Sequence, residues 1–144
     1  MQGDSKASAD EVLAQLRYLQ TIYTQQYDVL ANEMATFSLA LGALQRNIEM
    51  LEKKAVLENS NVLMSGEGGA YIKAKIEKME KALVYVGGGY LVEKDTEEAK
   101  QFLKDNYKKQ EDTLKKLSTE RTRIEKELVD IAYKLSVLEH GMQR

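Results

Sequence analysis

Three features of the sequence could carry chemistry: a run of three glycines, a single histidine and many acidic side chains. A phosphate-binding loop leads from a strand into a helix N-terminus and usually carries Lys followed by Ser or Thr. Gly87 to Gly89 lead instead into a second apolar run, and no such Lys follows. The glycines therefore predict a tight turn between two strands, not a nucleotide site.

The remaining polar residues do not form a recognisable catalytic or metal-binding pattern. His140 is the single histidine and the chain has no cysteine, so we expect no zinc-ligand set, thiolate nucleophile or disulfide. The acidic side chains lie on solvated helical stretches, which do not gather them into a pair for acid–base work. The sequence therefore predicts a protein that is not an enzyme and that needs no cofactor.

Composition favours long solvated helices in a single domain over residues 1–144. Charged residues make up 31% of the chain, aromatic residues 7%, and there is no proline to interrupt a helix. The formal net charge of −2 gives no reason to expect nucleic acid or an anionic membrane as a partner. Because residues 1–10 are polar and no window approaches about 18 apolar residues, we expect neither a signal peptide nor a membrane span.

A heptad pattern near the start of the chain predicts the first helix, over residues 8–58. Ser8 and Glu11 have the spacing of a capping box. From Leu13 to Ala55, apolar residues recur at alternating intervals of three and four, and Gln20 is the one polar member. This spacing is typical of a coiled-coil seam.

A second heptad pattern predicts a helix over residues 95–142. Asp95 and Glu98 again have capping-box spacing, and the seam runs on from Leu103 with Gln110 and Arg121 as its polar members. Two seams of similar length joined by a short connector should fold back on each other. The expected fold is therefore mainly α, a long antiparallel two-helix coiled coil whose connector is a small β module.

Apolar residues away from the seams are concentrated early in the first helix and late in the second. The antiparallel pairing would bring these two stretches to the same end, and clustered exposed apolar groups usually mark a contact surface. Positions such as Val12 and Leu19 could merely widen the seam, but Tyr18, Ile22, Tyr133 and Val137 face away from the partner helix. The expected binding surface comprises Val12, Tyr18, Leu19, Ile22, Tyr133, Val137 and Met142.

The connector, residues 60–94, reads as four short strands in two hairpins. Residues 70–76 alternate apolar and polar, residues 82–86 are continuously apolar, and a glycine-rich turn closes each hairpin. Isolated hairpins are marginally stable and their free edges seek partners, and no apolar core is expected beside these. We therefore expect assembly with other chains through Ile72, Ile76, Val84, Val86, Leu91 and Val92.

The same connector resembles the α-type subunits of prefoldin, the class with two hairpins between its helices. The resemblance covers nearly the whole chain and is most specific over GAYIKAKI (residues 69–76), ALVYVGGGYLVEK (82–94) and the acidic helix start at residues 96–99. It implies a cytoplasmic hexamer of two α-type and four β-type subunits, with hairpins in its body and coiled-coil arms.

The resemblance also implies a function. Such an assembly captures unfolded polypeptides at its arm ends without ATP and delivers them to a group II chaperonin. A structural coiled-coil adaptor with one dedicated folded partner is the alternative. An RNA-binding arm is disfavoured because the second helix mixes charges of both signs along its exposed faces.

Overall fold

The structure is a computed structural model that describes residues 2–142, with side chains described from residue 8 to residue 141. Along the chain, two long helices, α1 (Gln2–Glu52) and α3 (Thr96–Met142), flank a short helix α2 (Lys54–Leu57) and four strands. The strands are β1 (Asn61–Ser65), β2 (Tyr71–Lys75), β3 (Lys81–Gly87) and β4 (Tyr90–Asp95). This order of elements confirms the predicted fold class.

The helix boundaries differ from those that the capping patterns predict. α1 begins at Gln2, so Ser8 lies inside it. No proline precedes Ser8 to interrupt the helix, and serine is tolerated within a helix. At its other end α1 stops at Glu52, since Lys53 leaves helical geometry with ψ of 20°, and α2 continues only to Leu57. α3 begins directly after Asp95, one residue later than predicted.

The chain divides into two compact units. The first, the helix-pair unit, comprises the described residues up to Ser38 and from Asp112 onward. Here α1 and α3 run antiparallel: the Arg17 guanidinium lies 2.9 Å from a carboxylate oxygen of Glu139. Ile124, Ile131 and Leu135 are buried at heptad spacing, so the predicted seam of α3 is the one that packs.

The second, the hairpin unit, is Leu39–Glu111 and contains all four strands. Glu52 and Lys104 form an ion pair of 3.4 Å between α1 and α3, which again run antiparallel. A small apolar core forms around Leu51, Val84 and Ala99. It joins the end of α1, the strand β3 and the first turns of α3 within one packed cluster.

The strands form two separate two-stranded antiparallel sheets, hairpin 1 (β1 and β2) and hairpin 2 (β3 and β4). In hairpin 2 the pair Gly87–Tyr90 closes a two-residue loop in which Gly88 and Gly89 have φ of 63° and 83°. Two successive positive φ angles are typical of a type I′ hairpin turn, which glycine adopts without steric cost. The glycine run is therefore a turn, as predicted.

Hydrogen bonds fix the segment between the hairpins to the residue that follows α2 and to the first residue of α3. Glu58, just after α2, accepts a hydrogen bond of 2.8 Å from the backbone N–H of Met79. Thr96, the first residue of α3, donates its hydroxyl to the Met79 carbonyl and its N–H to the Glu80 carbonyl. Thr96 is buried, and these bonds satisfy its polar groups.

Candidate functional site

The two faces of hairpin 2 have opposite environments. Residues directly opposite each other in an antiparallel pair lie on the same face, and successive residues alternate between faces. One face carries Val84, which is 5% exposed, together with Ala82, and it packs on Leu51, Ala99 and Phe102. The ammonium group of Lys94 on this face lies 5.4 Å from the centre of the Phe102 ring.

The other face of hairpin 2 is largely exposed, and its apolar side chains border a cavity that Leu51 and Leu103 also line. The side chains that share this face are paired as Tyr85 with Leu91 and Leu83 with Glu93. Leu83 is 66% exposed, and Tyr85 and Leu91 are similarly exposed. Burying three such side chains against a partner would supply several kcal/mol, at about 1.5–3 kcal/mol for a fully buried large apolar side chain.

Hairpin 1 exposes apolar residues on both faces. Met64 and Ile72 are paired on one face, while Leu63 and Tyr71 lie on the other, and all four are exposed. The predicted alternation in β2 is confirmed, since Ile72 and Ala74 share a face opposite to that of Tyr71. Because each sheet has two strands, every strand also has an edge of backbone groups that is not paired within the sheet.

The structure places the predicted assembly residues in different environments. Ile72, Val86, Leu91 and Val92 are exposed, whereas Ile76 is half-buried beyond the end of β2. Val84 packs inside its own chain, so the expectation that the hairpins have no core beside them is wrong for one face of hairpin 2. The physical reason is that β3 is apolar on both faces, and the chain's own helices cover one of them.

Sequence reasoning missed several exposed apolar side chains of the hairpins. They are Leu63, Met64, Tyr71, Leu83, Tyr85 and Tyr90. The available signal was the strand pairing: once Val84 is placed inward, alternation puts Leu83 and Tyr85 outward.

The helix-pair unit carries further exposed apolar side chains, a row on α3 and a separate group on α1. Tyr133 is 69% exposed on α3, and Val137 and the additional residue Val129 are exposed four residues to either side of it. This spacing of four lines up the three side chains along one helix face. On α1, Tyr18 is 67% exposed, and Val12 and Leu19 are each slightly more than 40% exposed.

Two residues predicted for this surface stand apart. Ile22 was predicted to face away from the seam but is half-buried, and it lines a groove with Leu30 of α1 and with Arg123 and Ile124 of α3. The side chain of Met142 lies outside the described residues. Val129 is the residue that the prediction omitted, although it continues the spacing of Tyr133 and Val137.

Among the residues with described side chains, Gln110 Oε1 in the hairpin unit is buried without a hydrogen-bond partner. Arg121 Nε in the helix-pair unit is also buried without a hydrogen bond, although it lies 3.8 Å from the Glu125 carboxylate as an ion pair. Both belong to residues that interrupt the predicted seam of α3. Unpaired buried polar atoms cost stability but restrict which alignments of two helices are favourable. The arrangement is consistent with the two residues fixing the helix register.

The described residues contain no group of three or more His, Cys, Asp or Glu side chains that could hold a metal ion.

Arg123 donates hydrogen bonds to the Glu120 carboxylate, and these bonds lower the pKa of Glu120. This ion pair lies on the exposed surface of one helix, three residues apart, as in ordinary helix-stabilising pairs. None of the described helices has the length and hydropathy that a bilayer crossing requires.

Long helices that pair through heptad seams and carry two open hairpins define a class of coiled-coil protein, and comparison with known proteins identifies it. The prefoldin subunit family model matches residues 23–140. The chain is 30% identical to prefoldin subunit alpha of Pyrococcus horikoshii over 130 residues, covering 89% of this chain and 88% of the relative. It is 32% identical to prefoldin subunit alpha of Methanoregula boonei over 120 residues, covering 83% and 78% respectively.

The chain belongs to the prefoldin family. It is also similar to a chain of filamentous PFD from Methanocaldococcus jannaschii, solved by cryo-electron microscopy. That likeness has a TM-score of 0.55 and 27% identity, and it covers 84% of this chain and 95% of the other. The members of this family are non-enzymatic chaperone subunits, and prefoldin subunits form oligomeric complexes.

Proposed function

We propose that this chain is the α-type subunit of a cytoplasmic holdase that assembles through its hairpins and captures unfolded polypeptides on the helix-pair unit. The observation that carries the capture step is the exposed row Val129, Tyr133 and Val137, together with Tyr18 on α1. These side chains lie on helices whose backbone groups are already hydrogen-bonded. They can therefore contact a client without requiring it to adopt a matching secondary structure.

The hairpins support the assembly step. Their exposed apolar faces and free strand edges are the features of a surface that pairs with other strands. We propose an assembly of two α-type and four β-type subunits, with the hairpins of neighbouring subunits in contact. Such an assembly then passes its client to a group II chaperonin.

Weak contacts suffice for this task. Each partly exposed aromatic or branched side chain contributes on the order of 1 kcal/mol when a client covers part of it, by the area relation for apolar burial. Several helix pairs on one body raise the effective concentration of the second and later contacts, which gives avidity without a tight single site. Release then requires competition by another surface and no chemical step.

The experiment is an aggregation assay with two unrelated denatured proteins. Replacing Tyr18, Leu19, Tyr133 and Val137 with Ser should reduce suppression of aggregation severalfold for both clients while the mass of the assembly stays unchanged. The control variant replaces Leu39 and Val56 with Ser, two apolar residues that are even more exposed but isolated from this surface. We expect the control to behave like the native protein.

The assay also separates the proposed function from the second candidate. A structural adaptor with one folded partner would bind that partner saturably and would leave both denatured clients unprotected. Unaltered protection by the fourfold Ser variant would contradict capture through these residues. Equal loss in the control variant would show that exposed apolar area in general, and not this surface, is responsible.

A further inference from the structure

The first half of α1 carries a second heptad pattern beside its seam. We call it the outer stripe, and its members are Val12, Gln15, Leu19, Ile22, Gln26 and Val29. Each member directly precedes a residue of the seam, so the stripe lies about 100° around the helix from it. Five of the six members are exposed, and Ile22 is half-buried. Spacing of this kind is how one helix packs against another, but α3 already occupies the seam.

The outer stripe reads the same in both directions. Its side chains follow the order Val, Gln, Leu, Ile, Gln, Val, at intervals of three, four, three, four and three residues. Leu and Ile are similar in volume, so the pattern is symmetric in size as well as in polarity. Two copies that meet antiparallel about a two-fold axis therefore match at every layer, with the pairs Val12–Val29, Gln15–Gln26 and Leu19–Ile22.

The stretch that carries the outer stripe is almost free of charge. Of the 18 residues from Val12 to Val29, only Arg17 and Asp28 are charged, in a chain in which 31% of residues are charged. Neither belongs to the stripe, and Arg17 forms an ion pair with Glu139. A solvated helix face has no reason to exclude charge, whereas a face buried against another helix does, because an unpaired charge is costly to desolvate.

A groove beside the stripe has the same character. Its volume is about 570 Å³, and its lining includes Ile22 and Val29 of α1 and Glu120, Arg123 and Ile124 of α3. The Arg123 guanidinium lies 2.6 Å from a carboxylate oxygen of Glu120, so the two charges at the edge of the groove pair with each other. The groove therefore asks for uncharged side chains, and the stripe of a second copy supplies them.

We propose that two copies of this chain pair through the outer stripe of α1, antiparallel about a two-fold axis between residues 20 and 21. The contact is isologous, because the same surface is used on both copies, and it closes with two copies. The amides of Gln15 and Gln26 can donate to and accept from each other across the axis, which fixes the register. The pairing goes beyond the proposed function, since it concerns the helix pairs when no client is bound.

Pairing and client capture use some of the same side chains. Val12 and Leu19 belong both to the outer stripe and to the residues predicted to bind clients. Idle helix pairs of two assemblies therefore cover each other's apolar side chains, and a client displaces the second copy. Because the apolar members of the stripe are only partly exposed, the area left to bury is small. Pairing is accordingly weak, and paired assemblies separate on dilution.

Charges placed at the glutamine positions test the orientation. Gln15→Glu with Gln26→Glu puts like charges opposite each other in two symmetric layers and should weaken pairing roughly tenfold. Gln15→Glu with Gln26→Lys puts opposite charges there and should pair at least as tightly as the native chain. Sedimentation velocity of the full chain over a range of concentrations measures both. The two positions are exposed, and Gln, Glu and Lys have similar helix propensities, so both variants should fold.

Two controls make the charge test specific. Lys108→Gln with Lys116→Gln changes the net charge as much as the double-Glu variant does, at exposed positions of α3, and should associate like the native chain. At about 1 M salt the differences between the charge variants should shrink, because the screening length falls to about 3 Å.

Engineered cysteines test the register, because the chain has no cysteine of its own. Val12→Cys and Val29→Cys variants should cross-link with each other in an equal mixture. Each alone should cross-link little, since equivalent positions of two antiparallel copies lie about 25 Å apart along the helices, and a disulfide spans about 4–7 Å between Cα atoms. Leu39→Cys is the control for Val29→Cys: residue 39 is 77% exposed but outside the stripe, so its mixture with Val12→Cys should not cross-link.

A parallel pairing would give the reverse of these results: the Glu/Lys variant would associate more weakly, and each single-cysteine variant would cross-link alone. Either result, or equal association of the native chain and both charge variants, would overturn the proposed pairing. Denatured client should reduce the cross-link in the mixture, and a cross-link that client leaves unchanged would overturn the competition. The proposed function is tested separately, because neither Gln15 nor Gln26 is among the predicted client-binding residues and the double-Glu variant should still suppress aggregation.

Discussion

The hairpin unit and the helix-pair unit both expose large apolar side chains, but they do so on different kinds of backbone. Tyr133 and its neighbours project from a helix, whose N–H and C=O groups are hydrogen-bonded along the helix itself. Leu83, Tyr85 and Leu91 project from a two-stranded sheet that has unpaired edges and a fixed cross-strand register. The sheet needs a partner of defined geometry, whereas the helix needs only apolar contact.

Under the proposed function, this difference explains how one chain combines selective assembly with unselective capture. A sheet partner must align its backbone and its charges with those of the hairpin, which excludes most sequences. The backbone N–H and C=O groups of a helix are already hydrogen-bonded, so a helix face requires no backbone alignment from its partner. Irregular clients can therefore cover it in many ways. Four predictions follow from that contrast, and each would weaken or refine it.

The largest effect should come from placing charges on the outward face of hairpin 2. Replacing Leu83 and Leu91 with Asp should weaken assembly by two orders of magnitude or more, at about 1.5–3 kcal/mol per lost side-chain burial. Native mass measurement checks this. The control replaces Leu39 and Val56 with Asp, which removes two apolar residues that are even more exposed and lie at helical positions. Intact complexes in the hairpin variant would show that this face is not an interface.

A buried seam residue of the helix-pair unit should affect folding instead of assembly. Ile124 is 1% exposed, and replacing it with Ala should cost about 2–5 kcal/mol of stability. Thermal loss of helicity measures the change, while the mass of the complex at low temperature should not change. Val129→Ala, an exposed site on the same helix, should change stability by less than about 0.5 kcal/mol.

The buried amide of Gln110 allows a smaller, stabilising test. Because its Oε1 has no hydrogen-bond partner, replacing Gln110 with Leu should raise stability by about 1–3 kcal/mol. The same change should make the alignment of α1 with α3 less specific, which cross-linking between engineered positions of the two helices would detect. A destabilised variant with unchanged alignment would show that Gln110 contributes packing and not register.

The smallest effects concern glycine on the two kinds of backbone. Gly42 lies inside α1, where an added Cβ would meet only the tip of Arg46 at 3.5 Å, so Gly42→Ala should stabilise by about 1 kcal/mol. Gly88 has a φ of 63° in the hairpin turn, so the same substitution there should destabilise by about 1–2 kcal/mol. Equal shifts of the unfolding temperature in the two variants would contradict this account.

The secondary structure could be read from the sequence because each element follows a simple period. The three-and-four spacing predicted both long helices, and the glycine turns separated the four strands correctly. The boundary at Ser8 was wrong because a capping pattern marks where a helix can start, and nothing upstream forces it to start there. The packing of Val84 was missed because an uninterrupted apolar strand shows no alternation to tell its inner face from its outer one.

The exposed surface of the helix-pair unit was predicted only in part. Heptad positions identified Tyr18 and Tyr133 correctly as exposed, because they lie opposite the seam. Ile22 was also predicted to face away from the seam, but it is half-buried and lines a groove together with Arg123 and Ile124 of α3. A heptad assignment records direction from the helix axis but not the reach of the partner's side chains.

The presence of two separate hairpins bears on the number of neighbours that one subunit can contact. A chain with two exposed two-stranded sheets offers two places where a neighbouring strand could pair, whereas a chain with one such sheet would offer one. Under the proposed assembly, the two-hairpin chain is therefore the node through which its single-hairpin neighbours are connected.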